Sequence, residues 1–159
     1  MTEKLHGLVA NLRRENETWV SDVIDAFGEV TVVVPRESIV EVCSFLKGNH
    51  DFDMLADLCG CDRGPEDDPR FEVNYHLFST TDHSRLRLKV FLTEDDPHVA
   101  TVTQLWKTAD WHERETYDLL GVIFDGHPDL RRILLPSDFD GHALRKDYPL
   151  RGYEPYSLN

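Results

Sequence analysis

The chain has 159 residues, 40% apolar and 30% charged, enough to bury one core. Its formal net charge of −13 argues against a nucleic-acid binder, which needs a basic surface, and against direct docking on anionic lipid. The acid excess is uneven, with 11 Lys and Arg against 21 Asp and Glu in residues 1–110 and 6 against 9 in 111–159, so the C-terminal third is more balanced and its arginines cluster.

Leu5, Leu8, Val9 and Leu12 repeat at helical spacing and define one face of an amphipathic helix. VSDVIDAFG follows as a further helical stretch, with Gly28 as a stop. VTVVVP (30–35) is a β-branched run ended by proline, a strand. RESIVEVCSFLKG predicts a helix with Ile39, Val42, Cys43 and Leu46 inward and Gly48 after its end. FDMLADLCGC (52–61) fits helix or strand on period alone. After the polar loop 63–70, FEVNYHLFS and RLRLKVFL alternate with period two and predict a hairpin with one buried and one wetted face. VATVTQLW reads as helical. DWHERETYDLLG (110–121) is the best-defined helix. Asp110 is its N-cap, Glu113 stands at the capping-box position, Arg114 and Asp118 form an i, i+4 pair, and Gly121 closes it. Beyond Phe124 the periodicity stops and glycine and proline recur, so an extended arm follows. The order of elements predicts an α+β domain over 1–123 and an irregular C-terminal arm over 124–159.

The N-terminus has no signal-peptide core, and no apolar run reaches the ~20 residues that span a bilayer. Three cysteines, Cys43, Cys59 and Cys61, do not make a disulfide framework, so a cytoplasmic chain with reduced thiols is expected. HERET (112–116) is a near miss for the zinc motif HExxH, because Thr116 stands where the second histidine belongs. Cys59-Gly-Cys61 has no second cysteine pair to complete a metal site, and the better reading is two buried small residues. Neither GxGxxG nor a P-loop nor a GxSxG elbow is present. No catalytic, cofactor-binding or metal-ligating residue is therefore assigned.

FDGH occurs twice, at 124–127 and 139–142, each time followed by basic residues. His127 and His142 with Asp125 and Asp140 could make a two-His, two-carboxylate metal site, the basis of a stand-alone hydrolase. Alternatively each Asp-Gly is a turn that presents Arg131, Arg132, Arg145 and Lys146 to a partner, since arginine forks suit buried carboxylates and interfaces.

ERETYDLLGVIFDGHPDLRRIL (113–134) and DFDGHALRKDYPL (138–150) strongly resemble the 30-kilodalton subunit family of respiratory complex I, whose bacterial members are the C subunits of NADH–quinone oxidoreductase. Glu113, Arg114, Glu115, Asp118, Leu119, Leu120, His127, Arg131, Ile133 and Leu134 meet every position of the family signature. Gly141, His142, Leu144, Arg145, Lys146, Asp147, Tyr148, Pro149 and Leu150 meet the downstream motif. Leu120, where many members have an aromatic, and Ala143, where proline is common, are mild departures.

The resemblance implies a two-layer sandwich of helices on a mixed β-sheet, with 52–61 a strand. It implies a non-catalytic structural and assembly subunit of the peripheral arm, on the cytoplasmic face of the bacterial inner membrane. Such a protein packs chiefly against the D subunit, and also against the B, I and G subunits, and touches the membrane only through the complex. The assembly would use FMN, iron–sulfur clusters, NADH and quinone, none bound by this chain. Related subunits occur in membrane-bound hydrogenases, deazaflavin-dependent dehydrogenases and the chloroplast homologue, which form the alternative reading. Ending at Asn159 just past the arm, the chain is expected to be free-standing rather than fused to the D subunit. The motif residues, with Gly121, Pro128 and Arg132, are the interface candidates. Tyr153 is a further hot-spot type in the arm, and Glu113 and Glu115 are expected to pair with Arg131, Arg132 or Arg145.

Overall fold

The computed structural model describes residues 2–152; Tyr153 and the rest of the arm to 159 lie outside the described residues. Helix α1 (Thr2–Glu15) leads into a strand pair, β1 (Asp22–Ala26) and β2 (Glu29–Val33). Helix α2 (Ile39–Asn49) follows, then β3 (Met54–Asp62), β4 (Phe71–Phe78) and β5 (Arg85–Leu92). A short strand β6 (His98–Ala100), helix α3 (Ala109–Leu120) and strand β7 (Ile123–Asp125) complete the regular elements. The main sheet has the order β1-β2-β5-β4-β3, with β2 and β5 parallel and the other neighbours antiparallel. β6 and β7 form a second, parallel pair. This is the α+β domain that the order of elements predicts, in the two-layer, mixed-sheet form that the family resemblance implies.

Each element buries the face that its periodicity marks. Leu5, Leu8, Val9 and Leu12 of α1 are buried, as are Ile39, Val42, Cys43 and Leu46 of α2. They meet the apolar side of the sheet in one core. Cross-strand partners align the buried row Val32, Leu88, Tyr75 and Leu58. Burying each large aliphatic side chain contributes about 1.5–3 kcal/mol. The open side carries the row Thr31, Arg87, His76 and Asp57.

The structure corrects four local expectations. VSDVIDAFG is not helical: it forms β1, and Phe27 and Gly28 make a tight turn with φ of 56° and 79°. Positive φ at both positions matches the twist of a two-residue hairpin. Gly48 lies inside α2 rather than after it. VATVTQLW is not a helix: Val99 and Ala100 belong to β6, and a turn follows in which Trp106 N–H donates to Val102 O. The β-branched Val99, Thr101, Val102 and Thr103 favour the pleated start. Cys59 and Cys61 are exposed, and only Cys43 of the three is buried.

α3 reaches the core by packing against β3 at Gly60. A Cβ there would sit 2.5 Å from Leu120 Cδ1 and 2.6 Å from Thr116 Cγ2. Gly60→Ala is therefore expected to push α3 off the sheet and cost roughly 1–3 kcal/mol, measured as a lowered urea midpoint. An unchanged midpoint would show that the helix can shift freely.

Candidate subunit interface

α3 organises the site. It begins at Ala109 after Thr108, with no side-chain cap, so the expected Asp110–Glu113 capping box does not form. Glu113 points inward instead and is fully buried. It accepts the Val102 N–H at 2.8 Å and the Thr101 hydroxyl. Burial raises its carboxyl to about 7, opposed by those two donors and reinforced by Asp110. No arginine pairs with it among the described residues. His127, whose side chain is buried, places Nε2 3.3 Å from the Asp110 carbonyl and 4.0 Å from Glu113 Oε2.

The raised carboxyl couples stability to pH. The native state holds the Glu113 proton more tightly than the unfolded chain does. That advantage is complete below the ordinary carboxylate range and is lost as pH rises through about 7. Relative to Glu113→Gln, the native chain should lose on the order of 2 kcal/mol of stability between pH 5 and pH 8. Urea titrations of both proteins at the two pH values measure this, and a constant difference would contradict it.

The Arg114–Asp118 pair expected within the helix is absent, because each residue binds the arm. Arg114 donates to the carbonyls of Arg131 and Arg132, at 3.2 and 3.3 Å. Asp118 Oδ2 accepts three consecutive backbone N–H groups, from Ile133, Leu134 and Leu135, at 2.8–3.0 Å. Its Oδ1 takes Arg132 at 2.8 Å. Burial alone would raise this carboxyl; the donors outweigh burial and hold it below the ordinary value.

The arm also completes the C-terminal end of α3, where four carbonyls have no partner within the helix. Gly121, at φ 80°, donates its N–H to the Tyr117 carbonyl. The Asp118 carbonyl is met by Arg132 and by His142 Nδ1 at 2.9 Å, and the Leu119 carbonyl by Leu144 N–H. The Leu120 carbonyl accepts from Arg145 Nε at 2.7 Å. Two guanidiniums thus sit at the negative end of the helix dipole. A Cβ at Gly121 would lie 2.6 Å from both His142 Nε2 and Arg145 Nη2, so glycine is required by conformation and by space.

The FDGH copies lie at turns whose contacts are with their own chain. Gly126 and Gly141 both have positive φ, 80° and 81°, at turns. The Phe139 and Gly141 carbonyls accept from Arg132 Nη2, and Asp125 pairs with His98. His127 and His142 bind α3 at Asp110 and Asp118, eight residues and about 12 Å apart along the helix. The two histidines are therefore not brought together.

The second anchor was not foreseen from sequence. Arg70 is 1% exposed and grips Asp62 with two bonds of 2.9 Å. The same guanidinium holds Glu94 and, at 2.7 Å, Asp147 of the arm. Asp62 also accepts the backbone N–H of Lys146 at 2.7 Å and of Gly64 at 3.0 Å. Burial opposes its charge, yet these donors keep it below the ordinary value; the Arg70 bond does the same for Asp147. Lys146 Nζ reaches the Arg63 carbonyl. A legible signal existed in the register: Leu58, Gly60 and Asp62 share the core phase of β3, so an acid there needs a buried cation.

Other candidates lie outward. Glu115 is exposed and has no ion pair among the described residues, contrary to the expected arginine partner. Among the described residues, Arg131 forms its ion pair locally, with Asp129. Pro128 lines a shallow groove with Trp111, Gln104 and Lys107. Tyr148 stacks on Phe139 at 5.7 Å, and Pro149 O receives the Gly152 N–H. Trp111, Leu134 and Leu144 are 60–61% exposed and Leu150 is fully exposed. These four large apolar side chains belong to α3 and the arm. Such residues on a rigid frame are the chemistry of a protein contact.

Fold and site together define a class: a two-layer α+β domain whose C-terminal arm is clamped to one helix by buried charge. The family model for the respiratory-chain NADH dehydrogenase 30-kilodalton subunit matches residues 32–154. The C subunit of NADH-quinone oxidoreductase from Geobacter metallireducens is 47% identical over 150 residues, 93% of each chain. The C 2 subunit of the same enzyme from Rhizobium meliloti is 53% identical over 131 residues, 81% of this chain and 71% of that protein. A solved trypsin-resistant fragment (1–134) of Nqo5 superimposes with TM-score 0.69 at 37% identity, covering 82% of this chain and all of that one. A chain of an archaeal membrane-bound sulfane sulfur reductase shares the fold, with TM-score 0.77 at 19% identity over 92% of this chain and 86% of its own. The chain belongs to the 30-kilodalton subunit family of respiratory-chain NADH dehydrogenase.

Proposed function

We propose that this chain is a structural and assembly subunit of an NADH–quinone oxidoreductase, supporting electron transfer from NADH to quinone without catalytic residues of its own. The observation that carries the reading is the arm. Arg132 and Arg145 are engaged on α3, and Lys146 and Asp147 on the Asp62–Arg70 pair, while Trp111, Leu134, Leu144 and Leu150 face outward. The curated relatives are named for that complex. The partners are other subunits of the complex, chiefly the D subunit, with the B, I and G subunits as neighbours. FMN and the iron–sulfur clusters belong to other parts of the assembly. The chain sits peripherally on the cytoplasmic side of the membrane; no helix among the described residues is long and apolar enough to cross it.

The division into a core over 1–123 and an arm over 124–159 is part of the same reading. The large buried apolar side chains run up to Phe124, and the Nqo5 fragment was obtained as a protease-resistant piece. Affinity capture of the tagged chain from native membranes tests the assignment. Co-purification of the other oxidoreductase subunits with NADH–quinone activity is expected. A hydrogenase-type set of partners, or the chain alone, would overturn it.

A further inference from the structure

We propose that Asp57, Cys59 and His76 bind one divalent transition-metal ion of the zinc class on the open face of the sheet. In the sequence, Cys59 and Cys61 have no second cysteine pair, and HERET has only one histidine. Strand pairing supplies what the sequence does not show: His76 of β4 is the direct cross-strand partner of Asp57. The register shifts between Leu55 and Asp57, leaving Ala56 as an extra residue. That bulge reverses the alternation, so Leu55 stays in the core while Asp57 turns outward beside His76 and Cys59. Bulges re-aim side chains in this way next to functional sites.

One carboxylate oxygen, one thiol sulfur and one imidazole nitrogen lie within 4.8 Å of one another. Tetrahedral zinc holds sulfur at about 2.3 Å and nitrogen or oxygen at about 2.0–2.2 Å. Donors in such a tetrahedron stand about 3.3–3.6 Å apart, so the three need to close by up to about 1.5 Å, within the reach of partly exposed side chains. His112 Nδ1 stands 3.5 Å from Asp57 Oδ1 and orients the carboxylate from α3. The nearest cation along the row, Arg87, is drawn away to Thr31 and Glu29 on β2. Binding forms a sulfur–metal bond and releases the Cys59 thiol proton to solvent. Thiolate with imidazole selects the zinc class over magnesium or calcium. Three protein ligands leave a fourth position for water. Cys61 faces the same side, but its sulfur turns to the Asp62 carbonyl at 3.8 Å, so it is not a ligand.

Cobalt(II) titration of the reduced, full-length chain tests the site. One equivalent should produce thiolate-to-cobalt charge-transfer absorption and tetrahedral d–d bands, and zinc should displace both. Cys59→Ser should abolish the charge-transfer band, and His76→Asn should weaken binding by at least roughly tenfold. His112→Ala should weaken it by about tenfold as an orienting residue, and Cys61→Ser should leave it unchanged. His76→Asn gives an independent reading if the serine variant misfolds. Absence of the band at one equivalent, its survival in Cys59→Ser, or its loss in Cys61→Ser would overturn the proposal.

Discussion

Arg70→Ala is expected to destabilise the chain by about 3–5 kcal/mol, the range for removing one partner of a buried ion pair. The guanidinium is buried and bidentate to Asp62, whose side chain is equally buried. Without it Asp62 keeps only the N–H groups of Gly64 and Lys146, which cannot balance a full charge in the interior. The arm is released at the same time, since Asp147 binds the same group. Urea unfolding of the purified chain measures the loss. Because much of it is the unpaired Asp62, Arg70→Ala with Asp62→Ala should be far less destabilised than the sum of the two single changes. Additive effects, or an Arg70 variant within 1 kcal/mol of the parent in the same urea series, would show that the pair is not held as described.

Asp118→Asn should free the arm while the sheet stays folded. One carboxylate oxygen accepts three successive N–H groups, and asparagine would turn an amide toward them or toward Arg132. Each unpaired buried donor costs about 1–3 kcal/mol, so the expected loss is again roughly 3–5 kcal/mol. Amide hydrogen exchange gives the specific readout. Ile133, Leu134 and Leu135 should lose protection, whereas the ladder between β4 and β5 should keep it. Protection retained at those three amides would mean that the arm is held by something else.

The sequence is most legible where one period governs a whole element. The faces of α1 and α2 and the alternation of β4 and β5 appear as expected, because core burial dictates them. It is least legible where tertiary contacts override local preference. VSDVIDAFG carries helix-compatible residues, but Phe27 and Gly28 turn it into a hairpin edge. Glu113 has the spacing of a capping box, yet a buried loop N–H at Val102 draws it inward. Arg114 and Asp118 have the spacing of a helical pair, and the arm supplies better partners for both. The Arg70 anchor joins residues 62, 70, 94 and 147; the core phase of Asp62 in β3 calls for a buried cation, but no local pattern names the partner across such separations. The arm residues His142, Arg145 and Asp147 are recognisable as candidates from the motif, and Arg132 from the arginine cluster; their attachment to α3 and to the Asp62–Arg70 pair appears only in the fold.

Deleting residues 136–159 separates folding from docking, because the arm, held by the core, is proposed to dock the chain into its complex. Circular dichroism of the purified truncated chain should show the folded domain with lowered thermal stability, since Arg70 keeps Asp62 and Glu94 but loses Asp147. In cells without the intact copy, a native gel should show no assembled NADH–quinone oxidoreductase, and membrane NADH–quinone activity should be lost. A truncated chain that enters the complex with full activity would contradict the account.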